Sequence, residues 1–210
     1  MEPRAGIKWQ FSPKSSFALA YGLHSRMEKM DVYFVKTQGT GDRSVNKDLG
    51  FTRAHHVMLS YGFKISDNMN MKIEPYFQQL YDVPVIADSS YSVLNRRDFY
   101  VENALVNRGK GRNIGVDITL ERYLNKGLYY MVTASIFDSK YYGGDRKWRN
   151  TLYNRNFIIN VLGGKEWMVG RDKQNMFSVN FKITLQGGDR YAPVDEVATL
   201  LDPDREVQYD

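Results

Sequence analysis

Three histidines are the side chains best suited to ligand chemistry, and they stand at the two ends of one long segment. His24 precedes residues 26–52, and His55 and His56 follow them. A neutral imidazole can bind a metal ion or hydrogen-bond to a ligand. The spacing matches no metal-binding motif, because no carboxylate is placed to complete one. His24 and His56 are therefore either candidate ligand contacts or, the interpretation we favour, residues that hydrogen-bond within the protein.

The chain carries no pattern typical of a catalytic site. Its 210 residues include no cysteine, which excludes disulfides, thiolate metal sites and cysteine nucleophiles. The order of residues also matches no Ser-His-Asp triad and no H-E-x-x-H metalloprotease motif. The sequence therefore predicts no enzyme, and it predicts no metal or cofactor site.

Aromatic and basic residues form further candidate sites in long polar segments. Tyr33 and Phe34 lie in an apolar patch of the segment that the histidines flank, where they could contact a substrate or pack against neighbouring loops. Arg146 and Trp148 belong to one basic cluster, and residues 108–112 form a second. These clusters could bind an anionic ligand or lipopolysaccharide phosphates, although solvated charge is the favoured interpretation. Nucleic acid is not expected, because exposed aromatic residues are not interleaved with the charges.

The composition argues against helices that cross a membrane but not against strands that do so. Hydrophobic residues make up 42% of the 24.4 kDa chain, and the mean hydropathy is -0.51. No run approaches the ~20 apolar residues of a spanning helix. The length suits one core or one curved sheet rather than two domains. The net charge of +5 is a modest excess that selects no class of partner.

Alternation of apolar and polar residues recurs along most of the chain, and a period of two is the signature of β-strands. Between positions 114 and 121, for example, Ile, Val, Ile and Leu alternate with Gly, Asp, Thr and Glu. No segment of comparable length shows a helical period. The pattern predicts about eight strands, at residues 3–11, 16–25, 53–65, 70–81, 107–124, 128–140, 156–169 and 175–186.

The connections between these strands are alternately short and long. Short turn-forming sequences join the strands in pairs. The long connections are residues 26–52, 82–106, 141–155 and 187–210. The predicted fold is therefore all-β, an up-and-down antiparallel sheet with its turns at one end and its loops at the other. Transmembrane β-barrels have this asymmetry, with short periplasmic turns and long extracellular loops.

The two faces of the predicted sheet suit a membrane or a soluble environment. In a transmembrane barrel the apolar face meets lipid, whereas in a soluble lipocalin-like barrel or sandwich it forms the core. The loop asymmetry, the strand lengths and the aromatic content of 14% favour the membrane interpretation. It predicts a convex apolar face and a concave polar face, represented by Leu59, Ile118 and Phe181 and by Lys64, Asp117 and Lys182 respectively.

Two positions are expected to disturb the strands. Pro75 removes a ladder donor within a strand, so a bulge or a locally unpaired position is expected there. The pair Gly163-Gly164 predicts a bend or a bulge.

One stretch resembles a known family. Residues 106–121, VNRGKGRNIGVDITLE, resemble the N-x-G-x-G-x-N-x-G-h-(D/E)-h-T-h-E strand of TonB-dependent outer-membrane receptors of the Bacteroidetes type, where h is an apolar residue. Further strands and hairpins of such receptors are similar to residues 2–6, 73–76, 80–84, 130–141, 148–151 and 157–167. The resemblance covers essentially the whole chain and is most specific over residues 107–167.

The resemblance implies a function for the receptor as a whole. Such receptors often carry a carboxypeptidase-regulatory-like extension, and their barrel of about 22 strands encloses a plug. A TonB box on the plug couples transport to the energy supply of the inner membrane. Residues 1–210 are therefore expected to be one partial barrel domain from the C-terminal half, without the plug, the TonB box or the final strands.

The same resemblance implies a location and partners. The location is the bacterial cell outer membrane, where the outer loops would capture a nutrient and the plug would then be displaced. The implied partners are the plug of the same protein, TonB acting through that plug, membrane lipid or lipopolysaccharide, and a siderophore, cobalamin, glycan or peptide ligand. Two other functions stay open on the residues alone: a non-transporting outer-membrane barrel with an adhesive or structural role, and a soluble ligand-binding barrel.

Overall fold

Strands make up most of the protein. The computed structural model describes residues 1–36, 44–96, 101–191 and 196–201. The nine strands are β1 Arg4–Ser12, β2 Ser15–Arg26, β3 Thr52–Ser66, β4 Met69–Val85, β5 Val106–Asn125, β6 Leu128–Tyr142, β7 Trp148–Asn150, β8 Phe157–Val169 and β9 Asn175–Gln186. The helical segments are α1 Met30–Tyr33, a 3₁₀ helix at Val93–Asn95 and α2 Glu196–Leu201. Parts of the predicted loops 26–52, 82–106 and 187–210 lie outside the described residues.

The strands form one antiparallel sheet in which neighbours along the chain are neighbours in space. The order is β1-β2-β3-β4-β5-β6-β8-β9, and β7 pairs beside β6. Within the described ranges, β1 pairs only with β2 and β9 only with β8, so the sheet is open. The predicted all-β, up-and-down antiparallel architecture of a β-barrel segment is confirmed. No helix in the described part of the chain is long and apolar enough to cross a membrane.

The observed strand ends differ from the prediction mainly at the loop end of the sheet. β4 continues past residue 81 to Val85, after a register shift against β5 near Asp82, which has a φ of 55°. The shift breaks the period of two, so the alternation did not reveal this extension. β7 lies within the predicted loop 141–155 and is only three residues long, too short for a recognisable alternation.

The two positions expected to disturb the strands behave differently. The ladder between β3 and β4 is interrupted at Pro75 without a change of register, so this position is unpaired toward β3, as expected. On its other side Pro75 pairs with Val116 of β5. Gly163 and Gly164 pair in continuous register with both β6 and β9, so no bulge forms there.

Apolar and polar side chains segregate between the two faces of the sheet. Directly paired residues of antiparallel strands share a face. Following the pairs from strand to strand therefore identifies the residues of each face. The apolar face includes Ile7, Leu19, Leu59, Ile73, Ile118, Val132, Ile159, Phe181 and Ile183. The polar face includes Ser16, Ser60, Lys64, Lys72, Asp117, Thr133, Asn160 and Lys182. The two predicted sets therefore lie on opposite faces: Leu59, Ile118 and Phe181 on the apolar face, and Lys64, Asp117 and Lys182 on the polar face.

The apolar face of β5 gives the height of the apolar band. Between Arg112 and Arg122, the side chains on this face are Ile114, Val116, Ile118 and Leu120. Ten residues of a strand span roughly 33 Å. At a strand tilt of about 40° this length projects to about 25 Å, the apolar height of an outer-membrane barrel.

Aromatic side chains mark both limits of this band. At the loop end, the His55 ring stacks between Tyr21 and Tyr81, with centroid separations of 6.0 and 5.3 Å. The Tyr21 hydroxyl is 2.9 Å from His55 Nδ1. At the turn end, Trp167 and Phe177 lie 5.8 Å apart. Amphipathic rings at two levels are typical of the interfaces between a membrane and water.

Candidate functional site

A row of hydrogen-bonded side chains crosses the polar face near its loop end. Asn113 Nδ2 donates to Gln78 Oε1 at 2.7 Å, and Ser139 Oγ donates to Asn113 Oδ1 at 2.6 Å. Thr151 Oγ1, just beyond β7, donates to Ser139 Oγ at 3.0 Å. The row borders an open cleft of about 430 Å³ that Tyr76 also lines. Amide and hydroxyl groups held in this way are suited to hydrogen-bonding a polar ligand.

His24 and His56 lie together on the same face. Gly22 of β2 pairs with His56 of β3, and His24 is the next residue of β2 on that face. The two ring centroids are 6.4 Å apart, and His56 meets the Tyr76 ring edge-on at 6.5 Å. A Cβ at Gly22 would lie 2.6 Å from His24 Nε2, so the glycine leaves room for this imidazole. Both histidines line a second cleft of about 380 Å³.

The loops that follow β2 and β4 pack together around a small apolar cluster. Its buried members are Val32, Val35, Val101 and Leu105. Asn46, only 1% exposed, joins the segments around it. Its Nδ2 donates to the carbonyl oxygens of Val32 and Asn103, both at 3.0 Å, and its Oδ1 accepts from the Leu105 N–H at 2.8 Å. One side chain therefore hydrogen-bonds to the backbone of both loops.

Further polar contacts link three loops. Arg96 and Asp31 form an ion pair between the loop that follows β2 and the loop that follows β4. The Leu152 N–H donates to Asn95 Oδ1 at 2.7 Å, which joins the loop that follows β4 to the segment after β7. The described parts of these loops are therefore connected to one another by polar contacts.

These connected loops lie over the polar face. Leu94, in the 3₁₀ helix, packs so closely on Gly111 that a Cβ there would be 2.6 Å from Leu94 Cδ1. Gly111 pairs with Leu80, and both belong to the polar face. We call the described parts of the connected loops, residues 27–36, 44–51, 86–96 and 101–105, the loop cap. It meets the polar face at Gly111, near the loop end of β5.

Tyr33 and Phe34 lie on the loop cap. The Glu28 N–H donates to the Tyr33 hydroxyl at 3.3 Å, and Phe34 is 64% exposed. The neighbouring Val32 is buried, so α1 turns one side toward the apolar cluster and leaves Phe34 at the surface.

Arg146 and Trp148 lie apart from the histidine pair. Trp148 pairs with Tyr142, which pairs with Lys110 of β5, and this register places all three on the apolar face. Arg146 is exposed in the turn before β7, with a φ of 65°. The predicted site residues thus occupy three places: the polar face, the surface of the loop cap, and the loop end around β7.

Two carboxylates outside the apolar band have lowered pKa values. Hydrogen bonds from the Arg149 guanidinium, at 2.7 and 3.0 Å, hold the pKa of Asp145 below its usual value. Hydrogen bonds from the Ser25 hydroxyl and N–H, at 2.5 and 2.8 Å, lower the pKa of Glu2. Both groups are therefore charged at neutral pH and fix backbone segments at the loop end. In the described ranges, no group of three His, Asp or Glu side chains is placed to hold a metal ion.

Sequence reasoning did not single out Asn46, Gln78 or Asn113. Gln78 and Asn113 stand at polar positions of alternating strands, and this signal placed them on the polar face without indicating their hydrogen bond. Asn46 lies in a polar segment without periodicity, and its burial depends on a second loop that is distant in the chain. No local pattern could have identified it.

Comparison of the sequence with protein-family models and with curated proteins gives no match. Among solved structures, the fold is similar to the ferric-catecholate import receptor Fiu of E. coli K12 in its closed form, with a TM-score of 0.55 and 9% identity. The alignment covers 80% of this chain and 22% of Fiu. Two variants of the FrpB iron transporter from Neisseria meningitidis, F3-3 and F5-1, give TM-scores of 0.49 at 14% identity, over 87% of this chain and 31% of FrpB. The chain therefore shares the fold of a part of Fiu that amounts to 22% of that protein.

Proposed function

We propose that this chain forms part of the barrel wall of a TonB-dependent receptor that takes up a scarce nutrient across the bacterial outer membrane. The supporting observation is the two-faced sheet, whose apolar band of about 25 Å ends at Arg112 and Arg122. Ile136 and Ile183 of this band are 58% and 60% exposed. An exposed apolar face of this extent indicates a surface that meets an apolar partner, and lipid is the partner proposed here. In the same proposal, the receptor is of the Bacteroidetes type with a carboxypeptidase-regulatory-like extension.

The proposed mechanism begins with nutrient capture at the loop end. The loop cap, the histidine pair and the row from Gln78 to Thr151 would contact the nutrient on the lumen side. The polar face would then border the plug of the same protein, and charged pairs such as Lys72 and Glu74, 2.8 Å apart, would keep that boundary hydrated. TonB would displace the plug with energy from the inner membrane.

Several nutrients fit this mechanism. Fiu imports ferric catecholates, which makes a ferric siderophore one candidate beside cobalamin, a glycan and a peptide. Of the six candidate ligand contacts, His24 and His56 lie on the lumen side, and Tyr33 and Phe34 lie on the loop cap. Arg146 and Trp148 are proposed as contacts at the outer rim.

Uptake measurements test this proposal. A strain that lacks the gene and a strain that lacks TonB should both lose uptake of the same one of four labelled nutrients: a ferric catecholate, cobalamin, an oligosaccharide or a peptide. Loss of uptake in the gene deletion alone would contradict TonB coupling. Unchanged uptake of all four in the gene deletion would favour a non-transporting barrel.

A further inference from the structure

Two imidazoles on the polar face meet at one rung of the sheet. His24 Nε2 lies 2.6 Å from the position that a Cβ would take on Gly22, and Gly22 pairs directly with His56. The His24 ring therefore leans back over the glycine and comes beside His56, with 6.4 Å between the two ring centroids. A side chain at position 22 would fill the space in which the two rings approach each other.

The nitrogen atoms of these two rings are not engaged within the described part of the chain. His24 and His56 contact each other, and His56 also meets Tyr76, but neither makes a hydrogen bond or an ion pair with a described residue. His55 differs, because its Nδ1 lies 2.9 Å from the Tyr21 hydroxyl. A neutral imidazole has one nitrogen lone pair that can bind a metal ion. Two such lone pairs are therefore available on the same face.

A third donor lies on the same face of β3. Met58 follows His56 at the next position of this face, about 7 Å along the strand. It lines the cleft of about 380 Å³ that both histidines line. It pairs with Ala20 of β2, whose small side chain leaves room beside the thioether. Methionine has three rotatable side-chain bonds, so its sulfur can turn toward the two rings.

The other residues of this cleft indicate which metal ions would suit it. Among the described residues, no carboxylate lines the cleft. Arg4, which does line it, is paired with Glu2 at 3.1 Å. Asp117 lines the neighbouring cleft and accepts a hydrogen bond from the Ser135 hydroxyl. Calcium and magnesium ions require oxygen ligands, whereas imidazole and thioether donors together suit copper, and the soft thioether favours Cu(I).

From this arrangement we propose that His24, His56 and Met58 form a binding site for a Cu(I) ion. Two imidazoles on one tetrahedral metal ion have ring centroids about 5 Å apart, because each nitrogen lies about 2.1 Å from the metal. The two rings would therefore close by about 1 Å on binding, a change that half-buried side chains beside an open cleft can make by turning about χ1 and χ2. The site is built by β2 and β3 alone, so it goes beyond the proposed function and does not depend on TonB or the plug.

The test measures Cu(I) affinity of the purified native protein by competition with bicinchoninate in the absence of oxygen. Because the rest of the protein contributes donors of its own, the result is read as the difference between parent and variant. His24→Gln and His56→Gln should each lower the affinity of one Cu(I) site about a hundredfold, the upper end of what loss of a group that supports a metal ligand costs. His55→Gln is the matched control, since His55 lies on the opposite face of the same strand, and it should leave Cu(I) binding unchanged.

Two further variants separate the geometry and the sulfur from the histidines. Gly22→Ala keeps all three donors but pushes the His24 ring away from its place beside His56, so it should lower Cu(I) affinity about tenfold. Met58→Leu keeps the volume of the side chain without the sulfur. It should lower Cu(I) affinity about tenfold and leave Zn²⁺ affinity unchanged, because a thioether favours copper over zinc.

Three results would overturn the site: parent-like Cu(I) affinity in either histidine variant, an equal loss in His55→Gln, or equal changes of Cu(I) and Zn²⁺ affinity in Met58→Leu. The last result would remove the sulfur from the site and with it the preference for copper. Each of these results would contradict this inference alone. The proposed function is tested separately, by uptake in strains that lack the gene or TonB.

Discussion

At the level of single residues, His24 and His56 differ from His55 in the face of the sheet that they occupy. His24 and His56 line clefts on the polar face, whereas His55 stacks with tyrosines on the apolar face. Adjacent residues of a strand point to opposite faces. The three histidines are therefore expected to have different roles although two of them are neighbours in the chain.

His24→Gln and His56→Gln should each weaken nutrient binding about threefold to tenfold, the effect of one lost hydrogen bond. Titration calorimetry of the purified protein with the nutrient identified in the proposed uptake measurements tests this. His55→Gln is the matched control and should leave affinity unchanged. Equal losses for all three variants would indicate a general structural effect rather than contacts on the polar face.

Asn46→Ala should destabilise the loop cap by about 3 kcal/mol, because it removes the side-chain partner of three backbone groups, two of them buried. Limited proteolysis should then cleave within residues 44–51 and 101–105 faster than in the parent protein. Asn103→Ala is the control, since the Asn103 side chain is exposed and its backbone oxygen is kept. Parent-like resistance of the Asn46 variant would show that the apolar cluster alone holds the cap.

The turn from Gly143 to Arg149 should lose protection in acid. The pKa of Asp145 is lowered in the folded protein, so its contribution to stability is full above the unfolded value of about 4 and is lost as pH falls through the folded value. Hydrogen exchange of the turn, corrected for intrinsic rates, should rise over this range. Asp145→Asn should abolish the pH dependence, whereas Asp172→Asn, an exposed substitution in the turn after β8, should preserve it.

At the level of elements, the strands follow from the sequence and the loop cap does not. Alternation over 114–121 reports on each residue's face, because a strand has a period of two whatever lies around it. The cap depends on contacts between loops that are far apart in the chain, such as Asn95 with Leu152 and Asp31 with Arg96. No periodic pattern encodes such contacts, so sequence reasoning placed Tyr33 and Phe34 in a loop without finding the cluster beneath them.

Gly144→Ala should separate the loop that follows β4 from the loop between β6 and β7. A Cβ at this position would fall on the carbonyl oxygen of Ile86, a backbone atom that cannot rotate away. The expected cost is about 2 kcal/mol, with faster proteolysis at residues 86–90. Gly188→Ala is the control, because a Cβ there meets nothing within 4 Å. Equal stability of the two variants would contradict the close approach of these loops.

At the scale of the whole molecule, the unpaired edges of the sheet and its two unlike faces both fit a segment of a larger barrel. β1 and β9 carry edges unpaired within the described residues, and β9 is exposed along its length. Unpaired edges favour pairing with further strands, as in a larger barrel. The proposed membrane orientation then assigns lipid to the apolar face, lumen to the polar face and the outside to the loop cap.

The most direct test of the proposed lipid-facing wall places spin labels along β5 in the protein reconstituted in lipid bilayers. The chain has no cysteine, so a label at one introduced cysteine reports on that position of the chain alone. Labels at Val116, Ile118 and Leu120 should be relaxed by lipid-soluble oxygen, most strongly at Ile118, and labels at Asp117 and Thr119 should not. Oxygen access that fails to alternate, or apolar-face labels shielded from both oxygen and water-soluble nickel, would contradict a lipid-facing wall and favour a soluble barrel.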